Sequence, residues 1–169
     1  MAIMARLEVI MLLILLLPNG CAAGNHSFRI DETGAGEWKL GMKYTLASKM
    51  SPEFRYLLRE GIDEEEGFRY RIVSVWKRKD KNTLVATFNL SEDNEITVIT
   101  IFDPRFVTRE GISVGSTIED LVSAYPAHKI ISRGQPILVP EGKKMEFFLS
   151  ASFPKKLWGK ISGIRIGVE

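Results

Sequence analysis

The sequence predicts an α+β domain, mainly an antiparallel sheet of about five to seven strands, with one short capped helix over 118–125. Three observations carry that reading. Apolar residues recur with a period of two between 68 and 102, and again over 145–153 and 164–168, as in half-buried strands. One stretch departs from that period: Ile118, Leu121, Val122 and Tyr125 fall at the i, i+3, i+4, i+7 spacing of a helix face. Charged, Asn, Gly and Pro clusters divide these segments at short intervals.

The chain opens on a leader. Arg6 precedes Val9-Ile10-Met11-Leu12-Leu13-Ile14-Leu15-Leu16-Leu17, an unbroken apolar run. It is far shorter than the ~20 residues that span a bilayer and has the length of a signal-peptide core. Pro18 and Asn19 break it, and Gly20 and Cys21 follow. Leu17-Pro18-Asn19-Gly20-Cys21 resembles the lipobox of bacterial lipoprotein precursors, with Gly20 as the small residue before the cysteine and Pro18 and Asn19 departing from the family's pattern. The resemblance implies that residues 1–20 are a signal peptide and that Cys21 is acylated and becomes the mature N-terminus. Several acyl chains at ~0.8 kcal/mol per buried CH₂ would hold it in a membrane. Ala22 after the cysteine implies the outer membrane where the cell has one. The alternative is ordinary cleavage after Ala23.

Residues 21–36 read as the anchor cysteine and a flexible, polar tether, and 37–169 as a single globular β-rich domain. Trp38 to Met42 is ambiguous. Phe54 to Leu58 after Pro52 reads as a helical turn or a packed loop, and Glu60 to Gly67, with Asp63-Glu64-Glu65-Glu66, as a solvated loop. Phe68, Tyr70 and Ile72, with Ser74 and Val75 around Trp76, form the first strand of a meander. Leu84, Ala86, Phe88 and Leu90 mark the second, and Glu95 to Phe102, rich in Ile, Val and Thr, the third. Lys77 to Asn82 and Ser91 to Asn94 are the turns between them. Ser116-Thr117-Ile118-Glu119 reads as a capping box, Ser116 accepting from the Glu119 amide and Glu119 reaching back, and Pro126 stops the helix. Ile130-Ile131, Ile137-Leu138-Val139, the alternation Met145, Phe147, Leu149, Ala151, Phe153, and the final Ile164, Ile166, Val168 are further strands. No internal repeat or low-complexity tract is evident.

A second resemblance rests on Gly111-Ile112-Ser113-Val114-Gly115-Ser116-Thr117, Asp120-Leu121 and Ala124-Tyr125-Pro126. Over about residues 68–168 it is similar to small exported bacterial domains in which strands lead through a Gly-Ile-x-Val-Gly-x-Thr connector to a short helix and closing strands. It implies an architecture and no activity.

Chemistry is sparse. The net charge is +2, too weak a balance for nucleic acid. Cys21 is the one cysteine, so no intrachain disulfide forms. His26 and His128 are the two histidines, far apart in sequence, which argues against zinc. Asp63 to Glu66 lacks the ligand spacing of a calcium loop. The connector lacks the glycines and lysine of a phosphate loop, and Val114-Gly115-Ser116 is not a nucleophile elbow. No catalytic residue, metal or cofactor is assigned. Trp38, Trp76 and Trp158 are candidates for a sugar-stacking surface or, by default, packing. Lys77-Arg78-Lys79, Lys81, Lys143-Lys144 and Lys155-Lys156 read as soluble turns, or as contacts to anionic lipid. The sequons at Asn25 and Asn89 are short enough to be accidental. The expected function is a membrane-anchored, non-enzymatic envelope lipoprotein, an interaction or structural module whose partner is lipid through Cys21. The alternatives are a soluble periplasmic or secreted binding or inhibitor domain, and a carboxylate-dependent hydrolase.

Overall fold

The computed structural model describes residues 28–62, 67, 69–80, 82–150 and 159–167. The leader, Cys21, His26, Asn25, Asp63 to Glu66, Phe68, Lys81, Ala151 to Trp158 and Val168 lie outside the described residues.

Two sheets form. The small one has the order β3-β2-β1-β8, from β1 (Arg29–Asp31), β2 (Gly34–Ala35), β3 (Trp38–Lys39) and β8 (Val107–Thr108). The large one comprises β4 (Phe54–Ile62), β5 (Arg69–Lys77), β6 (Leu84–Leu90), β7 (Ile96–Ile101), β9 (His128–Ser132), β10 (Pro136–Pro140), β11 (Met145–Leu149) and β12 (Ile161–Ile166). Its order is β4-β5-β6-β7-β12-β11-β10-β9. Every neighbouring pair in it is antiparallel. This sheet of 8 strands is wider than the expected five to seven. Among the described residues there are two helices, α1 (Tyr44–Met50) and α2 (Ile118–Ala124), where the sequence suggested one.

Three expectations are corrected. Residues from Phe28 to Gly36 are not a tether: Ile30 and Ala35 are 2% and 0% exposed and belong to the core, so the folded domain already includes the small sheet. Phe54 to Ile62 is a nine-residue strand, not a turn and loop. In β5 the inward residues are Val73 and Val75, both 0% exposed, while Tyr70 and Ile72 take the other face.

The large sheet is two copies of one plan. Each half is a seven-residue helix followed by a four-stranded meander, α1-β4-β5-β6-β7 and α2-β9-β10-β11-β12. The details repeat. Gly41 and Gly115 both take positive φ, 78° and 93°, which glycine adopts without strain. Their amides donate to Ile96 O and Ile161 O, each at 2.8 Å. The amides of Ile96 and Ile161 return to Met42 O at 2.9 Å and Ser116 O at 3.0 Å. The C-caps Ser51 and Tyr125 have nearly the same backbone angles, and Pro52 and Pro126 follow them. The last strands read Ile96-Thr-Val-Ile-Thr-Ile and Ile161-Ser-Gly-Ile-Arg-Ile. In their pairing, Ile99 opposes Ile166, Ile101 opposes Ile164, and Thr100 and Arg165 oppose each other on the local two-fold axis. The chain therefore contains an internal structural repeat.

Direct partners in an antiparallel ladder share a face. One face carries Tyr56, Val75, Ala86, Ile101, Ile164, Phe147, Leu138 and Ile130 in a single row. The helices and the small sheet pack there. Trp38 of β3 lies 5.2 Å, centroid to centroid, from Phe88 and from Phe106. The Tyr56 hydroxyl donates to Ala47 O at the end of α1, and the Tyr125 ring after α2 meets Phe147 at 5.2 Å.

Candidate functional site

The opposite face of the large sheet is the candidate site. Its central row is Leu57, Ser74, Thr87, Thr100, Arg165 and Glu146, one residue from each of six adjacent strands. The contacts that join helices and small sheet to the large sheet fall on the other side. This row is polar where its counterpart is apolar, the alternation that a one-sided core imposes.

Arg165 is its centre. Its side chain is 35% exposed, and Nη1 lies 3.3 Å from Oε2 of Glu146, itself 3% exposed. The guanidinium sits 4.5 Å from the Phe148 ring centroid, a cation–π contact. Nη1 is the only Arg165 side-chain atom with a hydrogen-bond partner among the described residues. Thr87, Asn89, Thr100, Phe102, Gln135 and Ser162 surround it in a groove of about 320 Å³. Gln135 belongs to the turn before β10, and Thr87 to β6, four strands away in the sheet order. With strands ~4.8 Å apart, the groove runs across the face from β6 to the β9–β10 turn. A second groove of about 610 Å³ adjoins it, where Lys129, Ile131, Arg133 and Glu146 face outward.

The two rims match. On edge strand β4, Arg55, Leu57 and Arg59 point to this face. On edge strand β9, Lys129 and Ile131 do so, and Arg133 continues their alternation. These are equivalent positions of the internal repeat, each three to seven residues beyond the paired prolines Pro52 and Pro126. The four cations are exposed. Glu146 is the single acidic side chain on this face of the paired strand residues.

The residues singled out from sequence sit elsewhere. The helix is capped by Thr117 and Asp120, not by Ser116 and Glu119. Asp120 N–H donates to Thr117 Oγ1 at 3.1 Å, and Thr117 N–H returns to Asp120 Oδ2 at 3.2 Å. The box slips by one residue because Ser116 still belongs to the turn before the helix, its amide donating to Ser113 O and its carbonyl accepting from Ile161 of β12. The Ser116 hydroxyl instead accepts from Ser113 N–H at 3.1 Å. The connector amides of Gly111, Ile112, Ser113, Gly115, Ser116 and Thr117 all have partners inside the chain, which gives this segment a structural role. Trp38 is 1% exposed in the core, while Trp76 lies on the open face with its indole N–H buried and unpartnered. These two do not share a stacking surface. His128 Nδ1 lies 2.7 Å from Tyr125 O, packed at the end of α2. Lys77 pairs with Asp103 at 3.4 Å and Lys143 with Glu32 at 2.9 Å, so neither charge is spare. No metal-ligating cluster of His, Cys, Asp or Glu occurs among the described residues. No helix of them is long and apolar enough to cross a membrane.

The deepest charge, Asp103, is 1% exposed at the end of β7. Burial alone would raise its pKa, but hydrogen bonds from the Arg105 side chain and amide, with the Arg105 and Lys77 charges, hold the carboxyl below its ordinary range. Arg105 lies 4.7 Å from the Phe28 ring centroid, so this pair ties the loop after β7 to the entry of the domain. It is a structural clamp.

No protein-family model matches this chain, and no curated protein matches it in sequence. Its fold is similar to that of a solved structure, the uncharacterized protein yfeY from Escherichia coli. That likeness has a TM-score of 0.58 at 19% identity and covers 82% of this chain and 98% of that one. At this identity the likeness establishes a shared fold alone.

Proposed function

We propose that this chain is a lipid-anchored module of the bacterial cell envelope that works by binding a partner on the open face of its large sheet, without catalysing a reaction. The observation that carries the binding face is the central row, with Arg165 half-exposed at the axis of the repeat and hydroxyl and amide side chains around it. The face is accessible over β4 to β6, where Arg55, Leu57, Arg59 and Asn89 are exposed, while Thr100, Glu146, Phe148 and Ile137 on the same face are buried. An accessible groove lined by convergent polar groups is suited to recognition. The anchor rests on the Gly20-Cys21 pair after a short apolar leader. Phe28, seven residues beyond Cys21, is already packed, edge to face, on Phe106 at 5.0 Å. At ~3.5 Å per residue, an anchored Cys21 would hold the domain within about 25 Å of the membrane. Fractionation with intact mass of the mature protein tests the reading. Acyl additions on Cys21, and release of Cys21→Ala from the membrane or its retention as precursor, are expected. A mature N-terminus at Gly24 would overturn the anchor.

A further inference from the structure

We infer that the open face receives acidic polypeptide segments, one along each of its two cationic rims. This deepens the binding reading above and rests on it. Each rim is a cation–apolar–cation stripe, Arg55-Leu57-Arg59 on β4 and Lys129-Ile131-Arg133 along β9. They are equivalent positions of the two halves and lie at opposite edges of one sheet, seven strand spacings and so roughly 34 Å apart. The repeat thus places a positive stripe on one face twice, while Arg165 between them is balanced by Glu146.

The form of the stripes selects the anion. Their side chains recur every second residue, the period of an extended peptide, so alternating carboxylates and apolar side chains can meet alternating cations and apolar side chains. Leu57 is 41% exposed between its two arginines, an apolar contact that a phosphate headgroup or a uronic sugar does not answer. On β9 the backbone adds a second reason. Arg133 N–H donates to Gln135 O and Glu141 N–H to Ala127 O, so the odd residues bond towards β10. The backbone groups of His128, Ile130 and Ser132 then point away from the sheet, along an edge where an extended segment can add.

The test uses the full chain in detergent and a fluorescein-labelled peptide of alternating Glu and Leu. Binding is followed by anisotropy at about 0.1 M ionic strength. Wild type is expected to bind it and to ignore the Lys–Leu counterpart. Arg55→Ser/Arg59→Ser and Lys129→Ser/Arg133→Ser should each remove one of the two peptide sites, about half of the peptide bound at saturation, and the two combined should abolish binding, while Lys49→Ser on α1 leaves it unchanged. All variants replace exposed side chains, and size exclusion should show them monomeric and folded. The proposal is overturned if the Glu–Leu peptide does not bind, or if both stripe variants bind as wild type does. It is likewise overturned if the variants self-associate with binding intact, which would make the cations edge protection only. Stripe-dependent binding of oligogalacturonate or of phosphatidylglycerol vesicles, with none of the peptide, would assign the face to those anions instead. A crosslinker at Asn89 on the open face captures a partner in the cell whatever its charge, which separates failure of the acidic specificity from failure of the binding face.

Discussion

Thr117 and Asp120 close the N-terminus of α2 with reciprocal bonds, and the neighbouring Ser116 and Glu119 do not. The two registers of the box are separable by mutation. Asp120→Ala is expected to lower stability by about 1 kcal/mol, while Glu119→Ala, exposed and outside the box, stays within ~0.5 kcal/mol. Chemical denaturation reads both, and equal losses would contradict the register. Asp103 makes a stronger claim. Its folded pKa is depressed, so its contribution is present above the unfolded carboxyl range and lost as pH falls through the folded value. Asp103→Asn is expected to cost about 1–3 kcal/mol at neutral pH, because the charge-assisted hydrogen bonds from Arg105 are weakened or lost. It should also flatten the fall in stability below about pH 4. An unchanged acid limb would contradict this. Both carboxylates were visible as residues in the sequence, where Asp103 is only the residue that follows the Glu95–Phe102 strand. Its partner Lys77 becomes evident once β5 and β7 are placed on either side of β6 and their ends come together.

The meander β5-β6-β7, the helix α2 and the strands β9 to β12 were legible as elements because turn residues and period changes mark each one. What was missed has physical causes. Helix α1 starts at Lys43, which makes no side-chain cap bond, so it carries no start signal. It also leaves Leu46 and Met50 half-exposed, which blurs its apolar stripe. In β4, Tyr56-Leu57-Leu58 interrupts the alternation because Leu57 is apolar on the open face. The strands β1, β2, β3 and β8 are two or three residues long, too short to show a period. The internal repeat was hidden because its matched positions are few and far apart: two glycines, two prolines and the Ile-x-x-Ile-x-Ile endings. It makes a direct prediction. Gly41→Ala and Gly115→Ala should each cost about 1–2 kcal/mol through left-handed strain, since an added Cβ meets nothing within 4 Å at either position. A large difference between them would contradict equivalent roles. Leu121→Ala, at 0% exposure, is expected to cost about 2–5 kcal/mol.

At the scale of the whole molecule, the two halves bury the same inward isoleucines and turn different residues outward at the axis, Thr100 in one and Arg165 in the other. The core fixes the scaffold and leaves the outward row free to specify a partner. None of this face was legible from the sequence, because Arg55, Arg59, Lys129 and Arg133 read as scattered charges until strand register aligned them. The measurement that bears most directly on the account is site-specific photocrosslinking in the cell. The crosslinker benzoylphenylalanine is placed at Asn89, on the open face, or at Glu119, exposed on the helix side and outside the capping box. The account expects discrete crosslinked species from Asn89 and none from Glu119. Crosslinks from Glu119 with none from Asn89 would contradict it.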